Sequence, residues 1–148
     1  YRKSYSSFPD KGGGVDLDLT HEIDYMIWLF GSPQKIEYTK IDKISSLDIS
    51  SPDYFKGIYK YNNFIVDVEL DYIRKLDRKL IILGENKVLV DLDFIKSNLI
   101  FCNEKVELMT TDMQNSLSSE LNEFLNEDNP RNLCTLDESI EVLKMINK

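Results

Sequence analysis

FIVDVELDY, Phe64 to Tyr72, decides the fold class. Phe64, Val66, Val68, Leu70 and Tyr72 alternate with Asp67, Glu69 and Asp71. Successive side chains of a strand point to opposite faces, so the segment reads as a half-buried strand with one apolar and one acidic face. Three carboxylates are not buried without partners, so the acidic face is open. One packed face and one wetted face belong to an antiparallel sheet.

Further strands lie on both sides of this one. Tyr54 to Tyr61 is aromatic and β-prone, and Asn62-Asn63 is a tight-turn pair. Leu80 to Leu83, Val88 to Leu92 and Ile95 to Phe101 read as strands. Gly84-Glu85-Asn86 and Cys102-Asn103-Glu104 break the run as hairpins do. The strand-rich middle spans roughly Lys35 to Met109.

Helices flank it. A polar entry segment closes in a turn at Gly12-Gly13-Gly14. A helix then runs from about Asp18 to Phe30, with Leu19, Ile23, Met26, Ile27 and Phe30 as its apolar stripe. Asp18 or Thr20 caps its start, and Gly31-Ser32-Pro33 stops it. Near the other end Asp112 caps a helix bearing Met113, Leu117, Leu121, Phe124 and Leu125. Asn129-Pro130 separates it from a last helix, where Thr135-Leu136-Asp137-Glu138 matches a capping box ahead of Ile140, Leu143 and Met145. Helix, strand meander and helices together predict an α+β fold: a mostly antiparallel, open-faced sheet with helices on one face. If the open face is a subunit interface, Ile81, Leu83 and Leu89 are its apolar patch.

The 148 residues fit one domain, 1–148, with its own core. The net charge of −8 disfavours nucleic acid and anionic lipid as partners. No apolar run approaches the roughly 20 residues of a spanning helix. Cys102 and Cys134 lack CxxC spacing and read as reduced thiols of a cytoplasmic protein. The chain opens at Tyr1 with neither a methionine nor a signal-like segment, so it reads as part of something longer. It has no G-x-G-x-x-G after a strand and no G-x-x-x-x-G-K, so it is expected to bind no NAD or NADP by itself.

His21 is the sole histidine and stands at the first turn of the first helix, with Asp18 three residues before it. One reading is an acid–base histidine tuned by a carboxylate. The other is a helix cap beside an incidental histidine. Two ligands are too few for zinc, so no metal is expected. Tyr25 and Trp28 either stack on a sugar ring or pack against the core. Arg74 and Arg78 follow the acidic strand and are candidates to hold an anionic substrate group. The acidic strand face itself is a solvated face or subunit rim rather than a catalytic carboxylate pair.

The opening residues, YRKSYSSFPDKGGGVDLDLTHEIDYMIWLFG, resemble the start of the C-terminal domain of the Gfo/Idh/MocA oxidoreductases, the glucose–fructose oxidoreductase and inositol dehydrogenase relatives. VELDYIRKLDRKLIILGENKVLVDL resembles a strand pair later in that domain, and TLDESIEVLKMI resembles its last helix. The resemblance implies a dihydrodipicolinate-reductase-like or glyceraldehyde-3-phosphate-dehydrogenase-like C-terminal domain. It implies a preceding Rossmann domain, absent from this chain, that binds NAD or NADP and supplies a catalytic lysine. It implies a carbohydrate or cyclitol substrate and a homo-oligomer formed through the open sheet face. His21 matches the histidine that exchanges a proton with the substrate hydroxyl. Many relatives place an aspartate four residues before it. Here Asp18 stands three before, as in a sugar-nucleotide-associated branch that reads D-L-S-H.

The resulting expectation is the substrate-binding and proton-transfer domain of an NAD(P)-dependent oxidoreductase acting on a sugar, sugar nucleotide or cyclitol. His21 and Asp18 are its catalytic candidates, and Arg74 and Tyr25 its substrate contacts. The chain alone is expected to be inactive. The rivals are a non-catalytic oligomerisation module, an NAD-assisted glycoside hydrolase of the same fold, and a metal-dependent lyase or hydrolase.

Overall fold

A computed structural model describes residues 4–74, 77–85, 87–106, 113–126 and 133–146. The chain divides into two compact units, Tyr1–Ile73 with Cys134–Lys148, and Arg74–Leu133.

The first unit holds helices α1 (Val15–Asp18) and α2 (Thr20–Phe30), strands β1 (Lys35–Asp42), β2 (Tyr54–Lys60) and β3 (Ile65–Asp71), and a helix from Leu136–Ile146 near the end of the chain. The strands form an antiparallel sheet in the order β1-β2-β3. The turn after β2 falls where Asn62-Asn63 put it, closed by the Tyr61 N–H donating to the Phe64 carbonyl at 2.9 Å. The alternation in β3 is real. Val66, Val68 and Tyr72 pack against the core, and Leu70 is buried within it. On the opposite face Lys56 of β2 reaches Asp67 at 2.9 Å and Glu69 at 3.5 Å. One lysine thus answers two carboxylates across the strand pair.

The core of this unit is built by both ends of the chain. Val15, Ile23 and Met26 meet Phe55, Tyr59, Tyr61 and Leu70 of the sheet, and Val142, Met145 and Ile146 of the last helix. Tyr59 is fully buried, and its hydroxyl donates to the Met145 carbonyl at 3.1 Å. That carbonyl lies in the final turn of its helix, where no intrahelical donor remains.

Three local expectations are corrected here. The first helix is not continuous from Asp18: it breaks at Leu19 (φ −107°, ψ 24°), and neither Asp18 nor Thr20 makes a side-chain cap. The Asp18 carboxylate is engaged elsewhere, accepting the Tyr72 hydroxyl. The buried face of the last helix is Val142, Met145 and Ile146, whereas Ile140 and Leu143 are exposed. Its capping box, however, forms as the sequence predicts. The Thr135 N–H donates to Glu138 Oε2 at 2.7 Å, and the Glu138 N–H donates to Thr135 Oγ1 at 3.3 Å.

A buried carboxylate fixes the loop before β2. Asp53 is fully buried and accepts the Ile44 N–H at 2.8 Å, the Ser45 N–H at 3.2 Å and the Ser45 hydroxyl, with the Lys43 ammonium 3.0 Å away. Burial alone would push its carboxyl up. The Ser45 hydroxyl, the Ile44 N–H and the Lys43 ammonium outweigh burial and lower it from 3.8 to about 2. A carboxyl depressed in the folded state stabilises above its unfolded value and loses that contribution as pH falls through the folded one. Unfolding titrations from pH 5 downward should therefore show about 2 kcal/mol disappearing between about pH 4 and pH 2.

The second unit is an antiparallel meander of β4 (Lys79–Leu83), β5 (Val88–Asp93), β6 (Asn98–Phe101) and β7 (Glu104–Val106), followed by helix α3 (Met113–Asn126). The last helix of the chain is therefore α4. The strands thus form two sheets, one in each unit. Cys102 and Asn103 make a two-residue turn with φ of 50° and 71°, the left-handed pair that a tight hairpin requires. Ile95, expected in a strand, lies in the β5–β6 turn. Its N–H and that of Lys96 both donate to Asp93 Oδ1 at 3.0 Å. Ile81 and Leu83 are exposed, as are Leu117, Leu121, Phe124 and Leu125 of α3. Met109, Asp112 and Asn129-Pro130 lie outside the described residues.

Candidate functional site

The glycine triplet places the site. A Cβ on Gly13 would fall on the carbonyls of Tyr5 and Ser6, so the turn is pressed against the entry segment. Gly14 has φ 146°, a conformation reserved for glycine, and a Cβ there would lie 2.5 Å from Asp16 Oδ1. The Val15 N–H donates to the Pro52 carbonyl at 3.1 Å, which ties the start of α1 to the loop fixed by Asp53. Asp16 is buried at this junction, and its Oδ1 has no hydrogen-bond partner among the described residues. Burial, and then the neighbouring Asp18, push the Asp16 carboxyl above its ordinary value.

The short α1 hands over to α2 at Leu19, which puts His21 in the first turn of α2. Its side chain is 52% exposed, enough to meet a ligand. The carboxylate beside it is that of Glu22, with His21 Nε2 3.2 Å from Glu22 Oε1. The Glu22 side chain is only 10% exposed, so this anion is held rather than free to swing away. Asp18, the carboxylate the sequence singled out, is tied to Tyr72.

An open cleft of about 290 Å³ lies alongside His21. One wall is α2, through Thr20, His21 and Asp24. The other is α4 and its approach, through Cys134, Ser139, Val142 and Leu143. His21 and Asp24 are three residues apart on one helix and so share a face. The Cys134 thiol donates to Asp24 Oδ1 at 3.4 Å and lies 3.3 Å from Ser139 Oγ. The Ser139 hydroxyl favours the thiolate, but burial and the Asp24 carboxylate outweigh it and hold the Cys134 thiol above its usual value. Cys134 is thus a neutral thiol at physiological pH, a lining group and not an activated nucleophile. Ser139 is set by its own bond to the Thr135 carbonyl at 2.9 Å, inside the capping box.

The other candidates lie outside the cleft lining. Tyr25 is half-buried on α2. Trp28 is 72% exposed, which overturns its reading as a packing residue. Arg74 is exposed and belongs to the second unit. The Arg78 guanidinium lies over the Phe94 ring, 4.9 Å from its centroid, a cation–π seat rather than an anion cradle. Glu22, Asp24, Ser139 and Tyr72 carry no local motif that marks them. Only Asp24, one turn beyond His21, was open to recognition from spacing.

Among the described residues no three His, Cys, Asp or Glu side chains gather to hold a metal ion, and no helix is long and apolar enough to cross a membrane. No curated protein matches the chain. The model of the oxidoreductase family's C-terminal alpha/beta domain matches residues 2–147, nearly the whole of it. The chain belongs to the Gfo/Idh/MocA oxidoreductase family, as its C-terminal domain.

Proposed function

We propose that this chain is the substrate-binding and proton-transfer domain of an NAD(P)-dependent oxidoreductase that acts on a sugar, sugar nucleotide or cyclitol. The observation that carries the reading is His21: half-exposed, at the mouth of a cleft, beside a held carboxylate. An imidazole titrates near neutrality and can take and return a proton at working pH. When a carbinol becomes a carbonyl its hydroxyl proton must leave, and His21 accepts it. In the reverse direction His21 gives it back. This keeps full alkoxide charge from building up on the substrate oxygen. Asp18, held by Tyr72, fixes the junction from which α2 and His21 project. Tyr25 and Arg74 are retained as candidate substrate contacts on residue type and position alone.

The family generally uses NAD or NADP. The glycine turn of this chain does not fit the dinucleotide. The space a pyrophosphate would need at the glycine turn is filled by the Tyr5 and Ser6 backbone and by the Asp16 carboxylate. The cofactor is therefore assigned to residues outside this chain, and the part assigned here is the proton. Replacing His21 by alanine in the intact oxidoreductase tests the reading: turnover collapses while the fold persists.

A homo-oligomeric contact through the second unit belongs to the same proposal. Ile81 is 53% and Leu83 72% exposed on a sheet whose strands offer apolar side chains to solvent. Light scattering should report an oligomer for the chain, and Leu83→Glu should shift it to the monomer mass. An unchanged mass in the variant would remove this surface from consideration.

A further inference from the structure

We propose that Asp16 is a positioning residue of the cleft. Neutral, it lets the α1 junction close and seats α2. Ionised, it loosens that junction and with it the wall that carries His21 and Asp24. The inference deepens the reading of His21 as the proton-exchanging group, because it names what holds His21 in place.

Two buried carboxyls flank the start of α1, and they are treated in opposite ways. Asp53 is met by the Ile44 and Ser45 N–H groups, the Ser45 hydroxyl and the Lys43 ammonium. Asp16 is 8% exposed, and its Oδ1 has no hydrogen-bond partner among the described residues. That oxygen is pressed against Gly14, where a Cβ would lie 2.5 Å from it. A buried carboxylate without partners is costly, and the neutral form avoids most of that cost. Burial and the Asp18 carboxylate raise the Asp16 carboxyl, and the Asp16 and Leu17 N–H groups do not offset them.

The charges on the neighbouring elements are engaged elsewhere. Among the described residues Asp18 is the one charge that acts on Asp16. The Tyr72 hydroxyl at the end of β3 donates to Asp18, and the Tyr59 hydroxyl of β2 donates to the Met145 carbonyl. Lys56 holds Asp67 and Glu69 on the far face of the sheet, and Lys43 holds Asp53. His21 on α2 contacts Glu22, and Lys11 of the entry segment stands over the Phe8 ring.

The element that carries Asp16 is easily moved. Helix α1 has four residues, one turn, too few to hold itself. It is tied down by the Val15 N–H donating to the Pro52 carbonyl at 3.1 Å and the Asp18 N–H donating to the Gly14 carbonyl at 2.9 Å. An ionised Asp16 draws this turn toward water. Helix α2 begins one residue beyond, at Thr20, and bears Thr20, His21 and Asp24 of the cleft wall. A carboxyl raised in the folded state contributes fully below its unfolded value and loses that contribution as pH rises through the folded one. The junction is therefore tightest on the acid side and loosens as pH rises, opposite in sign to Asp53.

The test is a carboxyl-resolved carbon NMR titration of the full chain, read together with its amides and with urea unfolding. The Asp16 carboxyl should titrate above its ordinary value of 3.8. The amides of Val15, Leu19 and Ser139 should shift with the same midpoint. In Asp16→Asn those shifts should vanish, while the His21 imidazole still titrates. The urea midpoint of Asp16→Asn should rise relative to the wild type between about pH 4 and about pH 7. An Asp16 carboxyl titrating at or below the ordinary value would overturn the inference, as would amides that follow only the His21 midpoint or a urea gap that does not change with pH. The carboxyl titration needs no variant, so the outcome does not depend on Asp16→Asn folding. None of these readouts requires turnover. A His21→Ala enzyme that stays active would reject proton transfer and leave the Asp16 junction standing, and an ordinary Asp16 titration would do the reverse.

Discussion

His21→Ala should lower kcat of the intact oxidoreductase by about 10² to 10⁴-fold, the usual contribution of a positioned general acid–base group. The melting temperature of the chain should hardly move. The His21 side chain is 52% exposed and fills no part of the buried core. Surface substitutions of that kind usually stay within about ±0.5 kcal/mol. If His21 served only to hold its helix, activity would persist and stability would fall. A pH–rate profile sharpens the comparison. The carboxylate in contact with the imidazole is Glu22, and Asp18 is bound to Tyr72. Glu22→Gln should therefore move the profile more than Asp18→Asn. Asparagine at 18 keeps a carbonyl to accept the Tyr72 hydroxyl, so that variant is expected to fold normally. An active His21→Ala enzyme with an unaltered profile would reduce the resemblance to a statement about fold.

Local patterns were legible where short-range physics decides them. The alternation from Phe64 to Tyr72 is a matter of strand period, and β3 shows it. The Thr135–Glu138 box and the Cys102-Asn103 turn depend on a few adjacent residues, and both form. The site was legible only through His21, because the rest of it is assembled from distant parts of the chain. Cys134 meets Asp24 across 110 positions, and Tyr59 meets the Met145 carbonyl across 86. No window of sequence contains either pair. The break at Leu19 has the same origin. Asp18 is a good cap by type, but Tyr72, 54 residues away, holds its carboxylate. Long-range pairing overrode local preference there. The one missed signal within reach was Asp24, which shares a helical face with His21.

Gly14→Ala should be strongly destabilising. The φ of 146° at Gly14 lies where side-chain-bearing residues pay about 1–3 kcal/mol in backbone strain. The new Cβ would also lie 2.5 Å from Asp16 Oδ1 and 3.3 Å from Pro52 Cδ. Asp16 is buried, so its carboxylate has little room to retreat. Forcing a methyl into a packed junction adds about 1–3 kcal/mol. The two costs overlap, because one shift of the backbone relieves both, so the expected loss is about 2–4 kcal/mol. Urea unfolding should show the midpoint falling with the slope unchanged. The damage should also reach the site. Val15, the next residue, holds the Pro52 carbonyl and starts the short helix that aims α2. Displacing that start moves His21 and Asp24 together relative to Ser139 without touching any of them. Gly31→Ala is the contrasting control. Its φ of 73° is also a glycine conformation, but a Cβ there meets nothing within 4 Å. It should cost only the backbone strain of about 1–3 kcal/mol, with no added clash, and leave the cleft intact. Equal losses in the two variants would mean that the junction at Gly14 yields more readily than its packing implies.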